Sequence, residues 1–181
     1  MFSGSQRGFS LPELMLTVAT AATIMALAVP VLTDVSESTK LNGATREVER
    51  ELQSARLKAV STNRSLRVRF NCPSAGYIRT VEVLGTVVDG STNRCSTTAY
   101  PFPADNDVMT RPNYDGPVRI LPNGATVTTE VIEFRPDGTA HQVVANAAMT
   151  IATPLTLTVT RNNKSKTVTV NASGKIELQL Q

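Results

Sequence analysis

An α+β fold, one long N-terminal helix followed by a single β-rich domain, is what this sequence predicts, and three observations carry that reading. Residues 14–32 contain no charge, a helical stripe of apolar residues extends that run to about residue 60, and from Leu66 onward the pattern turns to alternation. The roughly 120 residues that follow the helix suffice for one domain with its own core. No internal repeat or low-complexity linker divides them.

The uncharged run holds 19 residues, with Thr17, Thr20 and Thr23 its only polar members. That approaches the roughly 20 apolar residues needed to span a bilayer. A secretory signal peptide is the competing reading: Arg7 gives a basic start, and Ala26-Leu27-Ala28 resembles a small-residue cleavage site that would leave Val29 first. Two features oppose it. Glu13 stands between the basic start and the apolar core, although an ionised acid near a bilayer centre costs about 2.5–3.5 kcal/mol. The helical pattern also continues well past Pro30.

In that continuation Leu41, Ala44, Val48, Leu52, Ala55 and Ala59 are spaced 3, 4, 4, 3 and 4 apart, one stripe along a helix. Five basic and five acidic residues between Asp34 and Lys58 form its wet side. Pro30 removes an internal hydrogen bond and disfavours helical backbone at Val29, so a kink or local melting is expected there. The helix is expected from about residue 9 to about residue 62.

Beyond Asn63, Leu66-Arg67-Val68-Arg69-Phe70 alternates apolar and arginine side chains, the pattern of a half-buried strand with its arginines in water. Further strands are readable at 77–83, 118–121, 130–135 and 139–144. At the C-terminus Leu155, Leu157 and Val159 alternate with threonines, Asn162-Asn163 turns, 167–170 returns, Ser173-Gly174 turns again, and Ile176, Leu178 and Leu180 form a last strand. This is an antiparallel meander, and helix then strands is an α+β order.

Gly8-Phe9-Ser10-Leu11-Pro12-Glu13-Leu14 followed by the apolar run resembles the N-terminal signal of type IV prepilins and type II secretion pseudopilins. Pro12 replaces the commoner Ile, a change that the first helical turn tolerates. Within these pilin-like families, residues 131–139 (VIEFRPDGT) and 167–176 (TVTVNASGKI) are similar to the GspH/FimT group of minor pseudopilins and minor pilins. The resemblance implies a pilin-like fold with two antiparallel sheets packed on the helix. It also implies a leader at 1–8, a membrane and filament-core half of the helix at 9–33, an amphipathic half at 34–62 and a globular periplasmic or extracellular domain at 63–181. A prepilin peptidase would cut after Gly8 and methylate the amine of Phe9. Glu13 would then pair, in a low-dielectric fibre core, with the N-terminal amine of a neighbouring subunit. The partners so implied are other pilins or pseudopilins, the peptidase, the inner membrane before assembly, and an assembly platform. The resemblance leans towards a minor pilin of a type IV pilus, in or at the tip of the fibre and supporting its assembly, with a type II secretion pseudopilin, or a pilus-borne DNA-binding or adhesive subunit, as the alternatives.

Cys72 and Cys95 are an even pair in a domain expected outside the cytoplasm, where disulfides persist. A bridge would close a loop worth about 3 kcal/mol; two buried free thiols are the alternative. Two cysteines and the single His141 cannot complete a zinc shell. The proline-bearing stretch 96–117 reads as a long surface loop, in which Asp105, Asn106, Asp107 and nearby Asp115 offer oxygen ligands for calcium without the spacing of an EF-hand. His141 falls in an expected strand, where a structural role is expected. No nucleophile motif, paired-carboxylate signature or phosphate-cradling loop suggests an enzyme or a cofactor.

Losing Arg7 with a leader would lower the net charge from +3 to +2, too little to name a partner. The distribution says more. Arg161, Lys164, Lys166 and Lys175 face only Glu177 in the last 21 residues, and Arg64, Arg67 and Arg69 cluster after the helix. Such groups can bind phosphates. Some FimT-like pilins bind DNA through a Gly-Arg-x-Arg tail, but the matching residues are Gly174-Lys175-Ile176-Glu177, with an acid at the second basic position. DNA is therefore not the favoured partner.

Overall fold

A computed structural model of the protein describes residues 10–102 and 114–179. The chain divides into two compact units, residues 1–38 and 39–181. Helix α1 (Leu11–Thr62) begins in the first unit and ends in the second.

In the first unit α1 carries the uncharged run. Its backbone stays helical through Pro30, so the local melting expected there does not occur. Large apolar side chains such as Leu14, Leu16, Ile24 and Leu27 are exposed. The three threonines do not add unsatisfied polarity to that surface. Thr17 Oγ1 donates to Leu14 O at 2.8 Å, Thr20 Oγ1 to Thr17 O at 2.9 Å and Thr23 Oγ1 to Ala19 O at 2.5 Å, each within the helix. This segment is long and apolar enough to cross a membrane, and none of its described side chains is buried.

Among the described residues the second unit holds the rest of α1 and ten strands. A six-stranded antiparallel sheet has the order β3-β2-β1-β5-β6-β7, formed by β3 (Val118–Ile120), β2 (Tyr77–Glu82), β1 (Leu66–Phe70), β5 (Val131–Phe134), β6 (Ala140–Val144) and β7 (Ala147–Thr150). A four-stranded antiparallel sheet has the order β10-β9-β8-β4, formed by β10 (Ile176–Gln179), β9 (Lys164–Val170), β8 (Leu155–Arg161) and β4 (Thr126–Val127). Every stripe residue expected on α1, from Leu41 to Ala59, is buried. They join Leu66, Val68, Phe70, Ile132 and Phe134 of the larger sheet and Leu157, Val159, Val168 and Val170 of the smaller one in a single apolar core. The helix stops at Asn63, whose φ of 53° reverses the chain while Asn63 N bonds to Val60 O and Arg64 N to Ala59 O. Those two bonds satisfy carbonyls of the last turn.

Two strands escaped the pattern reading. β4 is two residues long, too short to alternate. β7 follows a tight turn whose central residues, Ala145 and Asn146, have φ of 47° and 68°. Alanine rarely adopts such backbone, at a cost of roughly 1–2 kcal/mol, so no turn signal marks the hairpin. The turn at Asn162 and Asn163 has the same geometry and the asparagines that favour it.

The expectation that Arg67 and Arg69 face water is corrected. The outer face of the larger sheet is roofed by residues 84–100, which include short 3-10 turns at Val87–Gly90 and Thr92–Cys95. Arg67 is buried there and Arg69 partly buried. The Cys72–Cys95 disulfide, with Cα atoms 5.1 Å apart, ties this roof to the chain just after β1.

Candidate functional site

Glu13 occupies the first turn of α1, where Glu13 N and Leu14 N both bond to Ser10 O at 3.1 Å. Pro12 lies in the same turn, at a position whose missing N–H costs nothing. The carboxylate of Glu13 is exposed, and among the described residues no cation pairs with it. A negative charge there is favoured by the helix dipole. Gly8 and Phe9 lie outside the described residues.

A second feature lies where the two motif segments meet α1. The turn after β5 contains Gly138 (φ 81°), and the turn between β9 and β10 contains Gly174 (φ 73°). Arg56 of α1 donates from Nε to Gly138 O at 3.0 Å and from Nη2 to Ser173 O at 3.2 Å. A Cβ added to Gly174 would stand 2.2 Å from Gly138 O and 2.7 Å from Arg56 Nε. One arginine thus clasps two glycine turns, one from each sheet, and only glycine leaves room for the approach.

Residues 44–174 match the family model described as "Type II transport protein GspH". The chain belongs to the GspH family. Among solved structures it is similar to the type IV minor pilin FimU of Pseudomonas aeruginosa, with 18% identity, 80% of this chain and 92% of that chain covered, and a TM-score of 0.50. It is also matched to the minor pseudopilin EpsH of the Vibrio cholerae Type 2 Secretion System, with 12% identity, 74% and 91% covered, and a TM-score of 0.41. No curated sequence matches. The long apolar helix with two antiparallel sheets is the pilin fold, and the chain is a membrane-anchored subunit of the minor pilin and pseudopilin family, which assembles with other pilins.

In this GspH-family chain the basic residues singled out in the sequence do not form one patch. Arg161 and Lys164 pair across the β8–β9 hairpin end, whereas Lys175 follows the turn beyond Val170, at the other end of β9. The length of β9, Lys164–Val170, separates those ends by about 20 Å. Lys175 Nζ is 2.5 Å from Glu177 Oε1, so the acid that breaks the basic motif also neutralises its lysine. Lys166 lines a small cavity of about 80 Å³ with Asn42, Thr45 and Arg46 of α1. In the cluster after the helix Arg64 approaches Glu82 at 3.3 Å and Arg67 approaches Glu133 at 2.9 Å, whereas Arg69 donates from Nη1 to Ser91 O at 2.6 Å and pairs with no carboxylate among the described residues.

Sequence reasoning missed the charged layer under the roof. Arg94, fully buried, contacts Asp89 at 3.2 Å and Asp115 at 2.7 Å and donates to Glu82 O at 2.6 Å. Arg79, also fully buried, donates to the carbonyls of Gly116, Arg94, Ser96 and Tyr100. Burial pushes its pKa down, and Asp115 opposes the shift. Asp115 is therefore consumed by Arg94 and by Glu82 N, and the suggestion that it serves calcium is corrected. Asp105, Asn106 and Asp107 lie outside the described residues. His141 sits in β6 opposite Glu133, buried, a structural position. Among the described residues no cluster of histidines, cysteines and carboxylates is arranged to hold a metal.

Proposed function

We propose that this chain is a minor pilin of a type IV pilus, a non-catalytic structural subunit inserted in or at the tip of the fibre that supports its assembly. The observation that carries this is the contrast along α1: its first half is apolar and exposed in the described residues, with an acid in its first turn that no cation among the described residues pairs with. A helix of this kind needs either lipid or other helices around it. Before assembly the inner membrane would hold residues 9–33, with 63–181 in the periplasm and 34–62 linking them. A prepilin peptidase would remove 1–8 after Gly8 and methylate Phe9, and an assembly platform would extract the subunit. In the fibre Glu13 would select register by pairing with a neighbour's N-terminal amine, since an unpaired acid in that setting is penalised.

Intact-mass and N-terminal peptide mass spectrometry of the membrane-derived protein tests this. The expected mature chain begins at methylated Phe9. A chain beginning at Val29 would end the reading, because the apolar helix would then be a discarded targeting segment. A minor pseudopilin is the second reading, favoured by the description of the matched family model. Deleting the gene separates the two: lost surface pili with intact protein secretion supports the pilin, and the reverse supports the pseudopilin.

A further inference from the structure

We infer that the outer face of the six-stranded sheet carries a carboxylate-binding groove built around Arg69. The groove has a volume of about 160 Å³, and Arg67, Arg69, Asp89, Val131, Val143 and Asn146 line it, between the 3-10 turn at Val87–Gly90 and the β6–β7 turn. Its charged groups differ sharply in how they are satisfied. Arg67 is spent on Glu133 and on the side chain and carbonyl of Asn146. Asp89 accepts from the amides of Leu84, Gly85 and Thr86 and from Arg94.

Arg69 donates only from Nη1, to Ser91 O. Among the described residues no carboxylate pairs with it, and Nε and Nη2 have no partner. Those two nitrogens share one edge of the guanidinium, the edge that holds a carboxylate through two parallel hydrogen bonds. The neighbourhood sharpens the demand. Arg69 lies directly across the strand pair from Arg79, and like charges so placed repel. Arg79 spends its donors on carbonyls, and the carboxylate that eases its charge, Asp115, is bonded to Arg94. Burial and then the charges of Arg94 and Arg67 hold the Arg69 pKa below its ordinary range, a penalty that a bound anion relieves.

The same inventory selects the kind of anion. Asp89, buried in the lining and held by Arg94 and three amides, still sets a negative charge beside Arg69 that disfavours a dianion more than a monoanion, so a carboxylate fits better than a phosphate. Val131 and Val143 on the wall favour a short apolar stem behind the charge. The ligand class is thus an organic carboxylate, either a small free acid or the C-terminal carboxylate of a polypeptide.

The test uses the full-length chain in detergent micelles, following the Arg69 Nε–Hε resonance and the Val131 and Val143 methyls by NMR. Isovalerate, a tetrapeptide ending in a free valine carboxylate, its amidated counterpart and inorganic phosphate are the titrants. Saturable shifts are expected with the free-acid peptide, absent with the amide, and weakened about tenfold or more in Arg69→Gln. Saturation by isovalerate as well supports a site open to free acids, and saturation by the peptide alone supports a polypeptide source. Equal response to the amide, tighter saturation by phosphate, or no saturable shift with either carboxylate overturns the proposal. Should Arg69→Gln fail to fold, the contrast between free and amidated peptide on the native chain still decides.

Discussion

The two faces of β1 are both covered, the outer one incompletely at Arg69, and by opposite chemistry. On the inner face Leu66, Val68 and Phe70 meet the stripe of α1 and the second sheet in an apolar core. On the outer face Arg67 and Arg69 meet a roof held by a disulfide and by Arg94 between Asp89 and Asp115. Apolar packing is tolerant of shape and adds up from many small contacts. A buried charge layer is intolerant, because each member must keep its partner.

The largest effect is therefore expected on the outer face. Arg94→Ala removes the cation bonded to both Asp89 and Asp115, leaving them only backbone amide donors, and breaking such a buried pair costs about 3–5 kcal/mol. Urea unfolding of the detergent-solubilised chain, followed by near-ultraviolet circular dichroism, should show the loss; a change within about 0.5 kcal/mol, the range of ordinary surface substitutions, would mean that the layer is not load-sensitive. Closure of the inner face depends on the Arg56 clasp as well as on the apolar stripe. Gly174→Ala should cost about 1–3 kcal/mol by the same measurement, since it strains backbone at positive φ and drives a methyl into Gly138 O. A smaller effect sharpens the description of that turn. Asp137, fully exposed, has its pKa lowered first by the side-chain hydrogen bond from Thr139 and then by that residue's amide. A depressed carboxyl pKa contributes stability above its unfolded value, lost as pH falls through the folded one. Carbon-detected titration should place the Asp137 midpoint below the ordinary range, and Thr139→Val should raise it.

Much of this architecture was legible because hydrophobic period reports apolar burial directly. The α1 stripe, the strand at Leu66–Phe70 and the β8–β9–β10 meander all follow from it. The charged layer was not legible for the same reason. Alternation at Arg67 and Arg69 shows that two faces differ, but water and a second polar layer leave the same pattern. Asp115 illustrates the difficulty: in sequence it neighbours other acids and suggests a cation, whereas its partner, Arg94, arrives from 21 residues upstream. The glycines at 138 and 174 stood inside the motifs that carried the family resemblance, yet only the fold shows that both answer to one arginine on the helix. The basic residues near the C-terminus do not converge as a set of four, because Lys175 lies a strand's length from Arg161 and Lys164.

The threonine bonds inside the first half of α1 have a mechanical consequence. A helix that returns Thr17, Thr20 and Thr23 to its own carbonyls keeps the same polar account in any apolar surroundings. Moving it from lipid to a bundle of helices exchanges one set of van der Waals neighbours for another and rearranges no threonine hydrogen bond. The one charge that such a transfer would have to accommodate among residues 10–33 is that of Glu13.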